Sequence, residues 1–541
     1  MHTQQDPMDP PSPGVVTDVR PRWVTDELIE QWCAWVHRDE TRTEPSTAEP
    51  LTASAPFDLS PVAPVPSCEP RDVMAAATAA AGAQRRWART PLARRAGTVL
   101  AFHDLLLERQ DQVLDLIQWE TGKARYHAWQ EVAQVAAIAR HYARRAGRYL
   151  AARRVRGMVP GLTGVRQLRV PRGVVGVVSP WNYPLYLGAG DVLPALLAGN
   201  GVVSKADPQT PLTLLWTRAL LHEAGLPADL WRIVAGDGAL VGNALVDAVD
   251  FVSFTGSTAT GRTVAERAAR RLIGASLELG GKNPLIVRAD ADVAAAAAGT
   301  AVAAFTNTGQ MCIHVERVYV HEKVYDAFRD ELVRVTGSLR LGSSYDYGCD
   351  VGSLVSAARL AAVEAQVGDA VAKGAEVLVG GEARPGAGPL FYAPTVLEGV
   401  TPEMDVCARE TFGPVVSLYR YATDDEALDL ANRGAYGLSA SIWSRDTREA
   451  ARLAGLLRAG SVNINDGAAA AAGSIEAEMG GMGDSGLGRR HGAEGIRKYT
   501  EAQTVAVQRL LPLGPPPGQS ARTFVQRTNG QLALLRRLRV R

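Results

Sequence analysis

Between Asp72 and about Ala152 apolar residues recur three and four positions apart, a helical rhythm. AAATAAAGAQRRWAR, RAGTVLAFHDLLLERQDQVLDLIQWETGK and a third Ala/Arg-rich stretch predict three long helices. At Gly173 the period changes. The β-branched runs GVVGVVSP, GVVSKADP (201–208) and AVDFVSFTGS (248–257) predict strands with helices between them, hence a doubly wound parallel sheet. LELGGKNPLIV (277–287) sets a Gly-Gly turn before a further strand. Residues 288–480 repeat the alternation, with a helix over 293–306, the strand RVYVH, a helix through YDAFRDELVRV, and strands in GPVVSLYRY and SASIW. They predict a second α/β domain.

Other segments fit neither pattern. Residues 1–22, rich in Pro, Asp and Ser, read as a disordered leader, and Thr41–Pro70 as a surface strap around short apolar anchors. Val155–Val170 reads as a hairpin around Pro-Gly, an arm suited to reaching another subunit, and TVAVQRLL (504–511) is strand-like. PLGPPPG (512–518) is a linker to a basic tail. The expected organisation is a leader (1–22), a first α/β domain (23–154 and 171–287), a second (288–485), an arm (155–170 and 486–511) and a basic extension (512–541).

Composition narrows the class. With 46% apolar and 21% charged residues, most of the 541-residue chain can bury a core. A net charge of +1 argues against a protein that coats nucleic acid. That charge is an average: from Ala502 onward there are seven arginines and no acid, which leaves residues 1–501 six charges acidic. The tail could dock on the rest of the chain as a helix, or its arginines could touch an anionic membrane surface or a partner. Five cysteines cannot build a disulfide scaffold and suit a reducing, cytoplasmic compartment. No run of 18 apolar residues predicts a membrane span, and the start MHTQQDPMDPPSPG does not read as a secretory signal.

The chemistry-bearing residues are individually weak signals. Cys312, in FTNTGQMCIHVERVYV, lies in a polar loop before a strand, where a thiolate could be reached; Cys33, Cys68, Cys349 and Cys407 read as apolar filler. Glu278 stands between two leucines, where desolvation would raise it towards a general base. Asn182, in SPWNYP, follows the first strand and could donate to an oxyanion or simply form a turn. FTGSTATG (254–261) runs a strand into a helix start that could hold a phosphate, without the G-x-G-x-x-G fingerprint.

Order makes them specific. PWNYP, VVSKADPQTP, FTGSTATG, LELGGKNP, NTGQMC and ETFGPV occur in succession. Over roughly residues 70–505 the chain resembles the aldehyde dehydrogenase superfamily. Within it, GGMGDSGLGRRHGAEGIRKYTE and WNYPLYLGAGDVLPALLAGN are most similar to an actinobacterial type of NADP-dependent succinate-semialdehyde dehydrogenase, the second form in those organisms.

The resemblance implies an NAD(P)-binding domain (23–154 and 171–287), a catalytic domain (288–485), a small oligomerisation hairpin, and oxidation of an aldehyde to its acid through a cysteine thioester. It makes Cys312 the nucleophile, Asn182 and the Cys312 backbone N–H the oxyanion donors, and Glu278 the base that activates water. Trp181, Asn182, Lys205, Gly256, Ser257, Leu279, Glu410 and Phe412 match cofactor-contacting positions, and no metal is implied. NAD-preferring relatives carry Glu three residues after the Lys205 position; Pro208 stands there, which points to NADP, with Ser204 and Lys205 facing the extra phosphate and Asp207 opposing it. NAD remains an alternative. The implied partners are a small-molecule aldehyde and further copies of the chain, as homodimer or homotetramer.

The substrate is less direct. Better-known succinate-semialdehyde enzymes hold the distal carboxylate with arginines at positions occupied here by Gly190 and Thr306. Tyr183, Tyr186, Trp443 and Phe305 could line an apolar funnel, for a medium-chain or aromatic aldehyde, or could be core. A non-catalytic member of the fold is a third alternative, which intact Cys312, Glu278, Asn182 and Lys205 oppose. Ile313 after the nucleophile leaves no neighbouring cysteine for a disulfide switch, and His314 reads as structural.

Overall fold

The computed structural model describes residues 19–37, 48–157, 163–508 and 514–539. Most of the expected leader and the tip of the expected hairpin lie outside them. Four helices, not three, fill the first helical region: Pro70–Trp87, Leu92–Glu108, Gln110–Thr121 and Arg125–Tyr149. The long middle run breaks at Arg109, whose φ of −108° and ψ of 24° are not helical. An unbroken apolar rhythm does not reveal such a kink. Residues 48–70 form the expected strap, closed by the bridges Leu51–Val65 and Ser54–Pro61 and anchored by buried Phe57, Val62 and Val65.

One unit comprises residues 150–170 and 500–541. Strands β1 (Arg153–Arg156) and β2 (Thr163–Pro171) pair antiparallel, as the hairpin reading expects. The sheet is completed by Thr500–Gln508, the last strand among the described residues. The helix Ala521–Arg537 closes the described chain, and none of its residues is buried.

The other unit holds two sheets. In the first, β3 (Val174–Val178), β4 (Gly201–Lys205), β5 (Trp231–Val234), β6 (Phe251–Thr255) and β7 (Gly274–Glu278) are parallel, in the order β7-β6-β3-β4-β5. β4 and β6 are buried along their whole length, hence their continuous apolar runs. The chain winds outward from β3 through β4 and β5, then returns to β6 on the other side. Their carboxyl ends therefore open a crevice at the switch point between β3 and β6, where such sheets bind ligands.

The second sheet contains β8 (Asn283–Val287), β9 (Val315–His321), β10 (Glu376–Val379), β11 (Thr395–Glu398), β12 (Val415–Tyr421), β13 (Ser439–Trp443) and β14 (Ser461–Ile464), ordered β10-β11-β12-β9-β8-β13-β14. Two expected boundaries shift. β8, placed by its sequence position in the first α/β domain, bonds to β9 and β13 of the second sheet. β15 (Gly486–Leu487), assigned to the oligomerisation arm, pairs antiparallel with β7 at the edge of the first sheet. Residues 488–499 follow it into that unit, with Tyr499 fully buried. Strand pairing over long separations decides both, and local pattern cannot see it.

Candidate active site

A cleft of about 760 Å³ opens at the switch point, lined by Trp181, Asn182, Lys205, Asp207, Pro208, Gly256, Ser257, Glu278, Leu279, Cys312, Glu410 and Phe412 of the residues singled out from the sequence. The segment after β3 brings Trp181 and Asn182, the end of β4 brings Lys205, and the turn after β6 brings Gly256 and Ser257. Ser257 caps the helix Thr258–Arg270, its hydroxyl accepting from the Thr260 N–H at 3.2 Å. A helix start beside a glycine suits a phosphate.

Cys312 is placed by a loop with an unusual backbone. Asn307, Thr308 and Gly309 have φ of 53°, 57° and 69°, three left-handed residues in a row. At Gly309 a Cβ would lie 2.0 Å from the Gly413 carbonyl oxygen, so no other residue fits. Side chains from distant segments hold the loop. Asn307 Nδ2 donates to the Asn182 carbonyl at 3.0 Å, Thr308 Oγ1 to that of Gly352 at 3.1 Å, and Gln310 Oε1 accepts the Val355 N–H at 3.0 Å. Asn283 Nδ2 donates to the carbonyls of Cys312 (2.8 Å) and His314 (2.7 Å), pinning the nucleophile candidate itself. Sequence reasoning passed over Asn283, Asn307 and Gln310, although all three sit inside the quoted motifs.

Asn182 is 5% exposed. Its Nδ2 donates to the Gln310 carbonyl at 2.9 Å, which orients the amide and leaves its second hydrogen for another acceptor. Beneath it lies a pair that sequence reasoning also missed. Lys123 Nζ sits 2.6 Å from both Glu131 Oε1 and the Asn182 carbonyl, and both side chains of the pair are fully buried. Glu131 Oε2 accepts the N–H groups of Leu185 and Tyr186 at 3.0 Å each, capping a helix (Pro184–Leu197) whose own cap residue, Tyr183, gives no side-chain bond. Lys123→Met would leave a buried carboxylate without its cation, a loss of about 3–5 kcal/mol. A marked fall in unfolding midpoint together with slower turnover is the expected result; thermal denaturation and steady-state assays check it.

Glu278 ends β7, is 5% exposed, and its Oε1 has no hydrogen-bond partner. Burial pushes it up to about 7, against the pull of Arg490 and Lys498. Burial, with Glu410 and Glu278 nearby, pushes the Cys312 thiol up to about 12. Glu410 is likewise raised to about 7, by burial and then by Glu316. Its Oε1 accepts the Gly281 N–H at 3.0 Å, and a Cβ on Gly280 would come within 2.5 Å of Oε2. Glu316 fixes the neighbouring loop by accepting the Thr411 N–H at 3.0 Å, while Lys282 pairs with it and His314 Nε2 lies 2.9 Å from its Oε1. Fully buried in this role, His314 is structural.

At the other end of the cleft, Lys205 Nζ donates to the Ala206 carbonyl at 3.2 Å, and burial pulls its ammonium down. Asp207 spends one oxygen on the Gln209 N–H at 2.9 Å. Ser204 does not face the cleft as expected. It is fully buried, and its hydroxyl accepts from Trp231 Nε1 at 2.8 Å. Arg359, not foreseen, lines the cleft with its guanidinium 5.6 Å from the Phe412 ring centre. Phe305 and Trp443 are core, packed with Leu285, Val287 and Val318 rather than lining a funnel.

Among known proteins, the profile of the Aldehyde dehydrogenase family matches residues 43–505. The chain is 50% identical over 456 residues (84% of it, 88% of the relative) to a Mycolicibacterium smegmatis protein named "Putative succinate-semialdehyde dehydrogenase NADP(+)". It is 48% identical over 462 residues (85% and 89%) to a Mycobacterium tuberculosis protein bearing the same name with the suffix 2. The crystal structure of succinate-semialdehyde dehydrogenase from Burkholderia pseudomallei superposes with a TM-score of 0.82 at 34% identity, covering 85% of this chain and 94% of that one. With the cleft, the Cys312 loop and the sheet order in place, the chain belongs to the aldehyde dehydrogenase family, an NAD(P)-dependent enzyme that oxidises an aldehyde to its acid.

Proposed function

We propose that the enzyme oxidises succinate semialdehyde with NADP through a thioester on Cys312. The observation that carries the chemistry is the meeting of Cys312, Asn182 and the unpartnered Glu278 carboxylate in one cleft with Lys205, Ser257 and Glu410. Trp181, Lys205, Gly256, Ser257, Leu279, Glu410 and Phe412 would hold the dinucleotide, with Arg359 beside Phe412. The bound nicotinamide supplies the two-electron acceptor. Cys312 Sγ attacks the aldehyde carbon as its proton passes to solvent in the cleft, and the oxygen that gains charge receives the free Asn182 N–H and the Cys312 backbone N–H. After oxidation, Glu278 takes a proton from water, which splits the thioester into acid and restored thiol.

Two features support NADP. Pro208 puts no carboxylate where an acid would repel a 2′-phosphate, and Lys205 offers a cation beside it. Relatives near half identity carry NADP in their names. A charge-assisted hydrogen bond is worth about 2 kcal/mol. Lys205→Ala should therefore cost about 30-fold in kcat/KM with NADP and clearly less with NAD; equal losses in both assays would remove the assignment.

The substrate rests on those relatives' names. Gly190 supplies no cation, and a Cβ there would meet Ile138 at 3.4 Å and the Tyr186 ring at 3.7 Å, ordinary contact distances. The apolar surroundings of Cys312, made by Ile313, Leu438, Ala468 and Met479, favour a second reading, an uncharged medium-chain or aromatic aldehyde. NADPH formation with succinate semialdehyde, butanal and benzaldehyde decides between them. A higher kcat/KM for the charged aldehyde is expected; the reverse order would move the reading to apolar substrates.

The sheet of β1, β2 and Thr500–Gln508 supports assembly into a homodimer or homotetramer, since a small sheet with Val505 and Val507 exposed is marginal alone. Five free cysteines support a cytoplasmic location, and among the described residues no helix is long and apolar enough to cross a membrane.

A further inference from the structure

Behind β7 a group of buried charges is left over from the chemistry above. Asp191, on the helix Pro184–Leu197, is 2% exposed and accepts from Arg490 Nη2 at 2.5 Å, Lys498 Nζ at 3.1 Å and the Tyr499 hydroxyl at 2.9 Å. Arg490 Nη2 also donates to Thr255 Oγ1 at 2.8 Å, and Lys498 Nζ to Ser276 Oγ at 3.2 Å. Those two hydroxyls locate the cations. Thr255 is the partner of Glu278 in the parallel register of β6 and β7, and Ser276 lies two residues before Glu278 on its own strand. Partners in register, and residues two apart, present their side chains to the same sheet face. Arg490 and Lys498 therefore bond to that face immediately beside the Glu278 carboxylate.

The charges count in one direction. Arg490 and Lys498 against Asp191 leave one positive charge in a buried place. An ionised Glu278, whose Oε1 has no hydrogen-bond partner, closes the count. An uncompensated buried charge is expensive, so the arrangement favours the carboxylate over the acid. We propose that Arg490 and Lys498, fixed by Asp191, act as positioning residues that keep Glu278 ionised and ready to take a proton from water. The inference rests on the assignment of Glu278 as the base.

The remaining groups around Glu278 do not supply this effect. Arg489, from the same segment as Arg490, pulls in the same direction but more weakly than Arg490 and Lys498. Asp191 opposes it. Tyr186 and Cys312 are both held protonated by burial and carry no charge. His491, beside Arg490 and bonded to the Tyr186 hydroxyl at 3.2 Å, is pushed down to about 3 by burial and Arg490, and stays neutral.

The test is the pH profile of the slow phase that follows the NADPH burst, measured on full-length Arg490→Met, Lys498→Met, Arg490→Lys and Glu278→Gln enzymes. Removing either cation should raise the acid limb by about one pH unit or more, at unchanged burst amplitude. Arg490→Lys, which keeps the charge, should return the limb towards its original position. A limb that stays in place or moves down in the folded Met variants overturns the proposal. Should Arg490→Met not fold, Lys498→Met decides alone, since Asp191 there still holds Arg490. The Glu278→Gln arm separates the two levels. If that variant turns over normally, the base assignment fails and takes the proposal with it. If it stalls after the burst while the Met variants keep the parent profile, only the role of the cations fails.

Discussion

Cys312→Ala abolishes aldehyde oxidation in the expected result, with turnover reduced on the order of 10⁴-fold or more. The size follows from the role: without Sγ no covalent intermediate forms, and no other described cysteine lines the cleft. The thiol is held up at about 12 by burial, Glu410 and Glu278, so it stays protonated in the resting enzyme and ionises only as it attacks. Alanine removes only Sγ and leaves the hydrogen bond from Asn283 to the residue 312 carbonyl in place. Dinucleotide binding, followed by quenching of tryptophan fluorescence (Trp181 lines the cleft), should therefore survive. Loss of binding together with activity would mean a collapsed loop rather than a missing nucleophile, and sustained turnover would remove Cys312 from the mechanism.

Glu278→Gln should separate the two halves of the reaction. A burst of NADPH of about one equivalent per active site is expected, followed by a steady state slower by about 10²–10⁴-fold, the usual worth of a general base. Glutamine keeps the shape at the end of β7 but takes no proton from water. The pH dependence has a definite sign. Burial sets the Glu278 carboxyl near 7, so below that pH it carries its proton and cannot accept another. Deacylation by the parent enzyme should decline as pH falls through about 7, and the Gln variant should lack that limb. A Gln variant with neither burst nor turnover would shift Glu278 from hydrolysis to the earlier attack.

Much of the site was legible because it lies where strands end. Trp181 and Asn182 follow β3, Lys205 ends β4, Gly256 follows β6 and Glu278 ends β7, so short motifs carry both the turn and the functional group. What stayed hidden depends on partners far away in sequence. Nothing local to Lys123 shows that its ammonium reaches Asn182, 59 residues on. Nothing near Ser204 shows that Trp231 takes its hydroxyl and turns it from the nucleotide. β8 reads as the next strand of the first sheet until its partners, β9 and β13, are known. For Phe305 and Trp443 the sequence leaves funnel and core open, because aromatic side chains suit either role, and only packing places them in the core. Gly190 and Thr306 supply no cation, which the sequence alone states.

The most direct test of the thioester account is the intact mass of Glu278→Gln quenched after the burst with NADP and succinate semialdehyde. The account requires one added succinyl group, located at Cys312 by peptide mapping and absent when Cys312→Ala is combined. NADPH released in a stoichiometric burst from a protein of unchanged mass would contradict it.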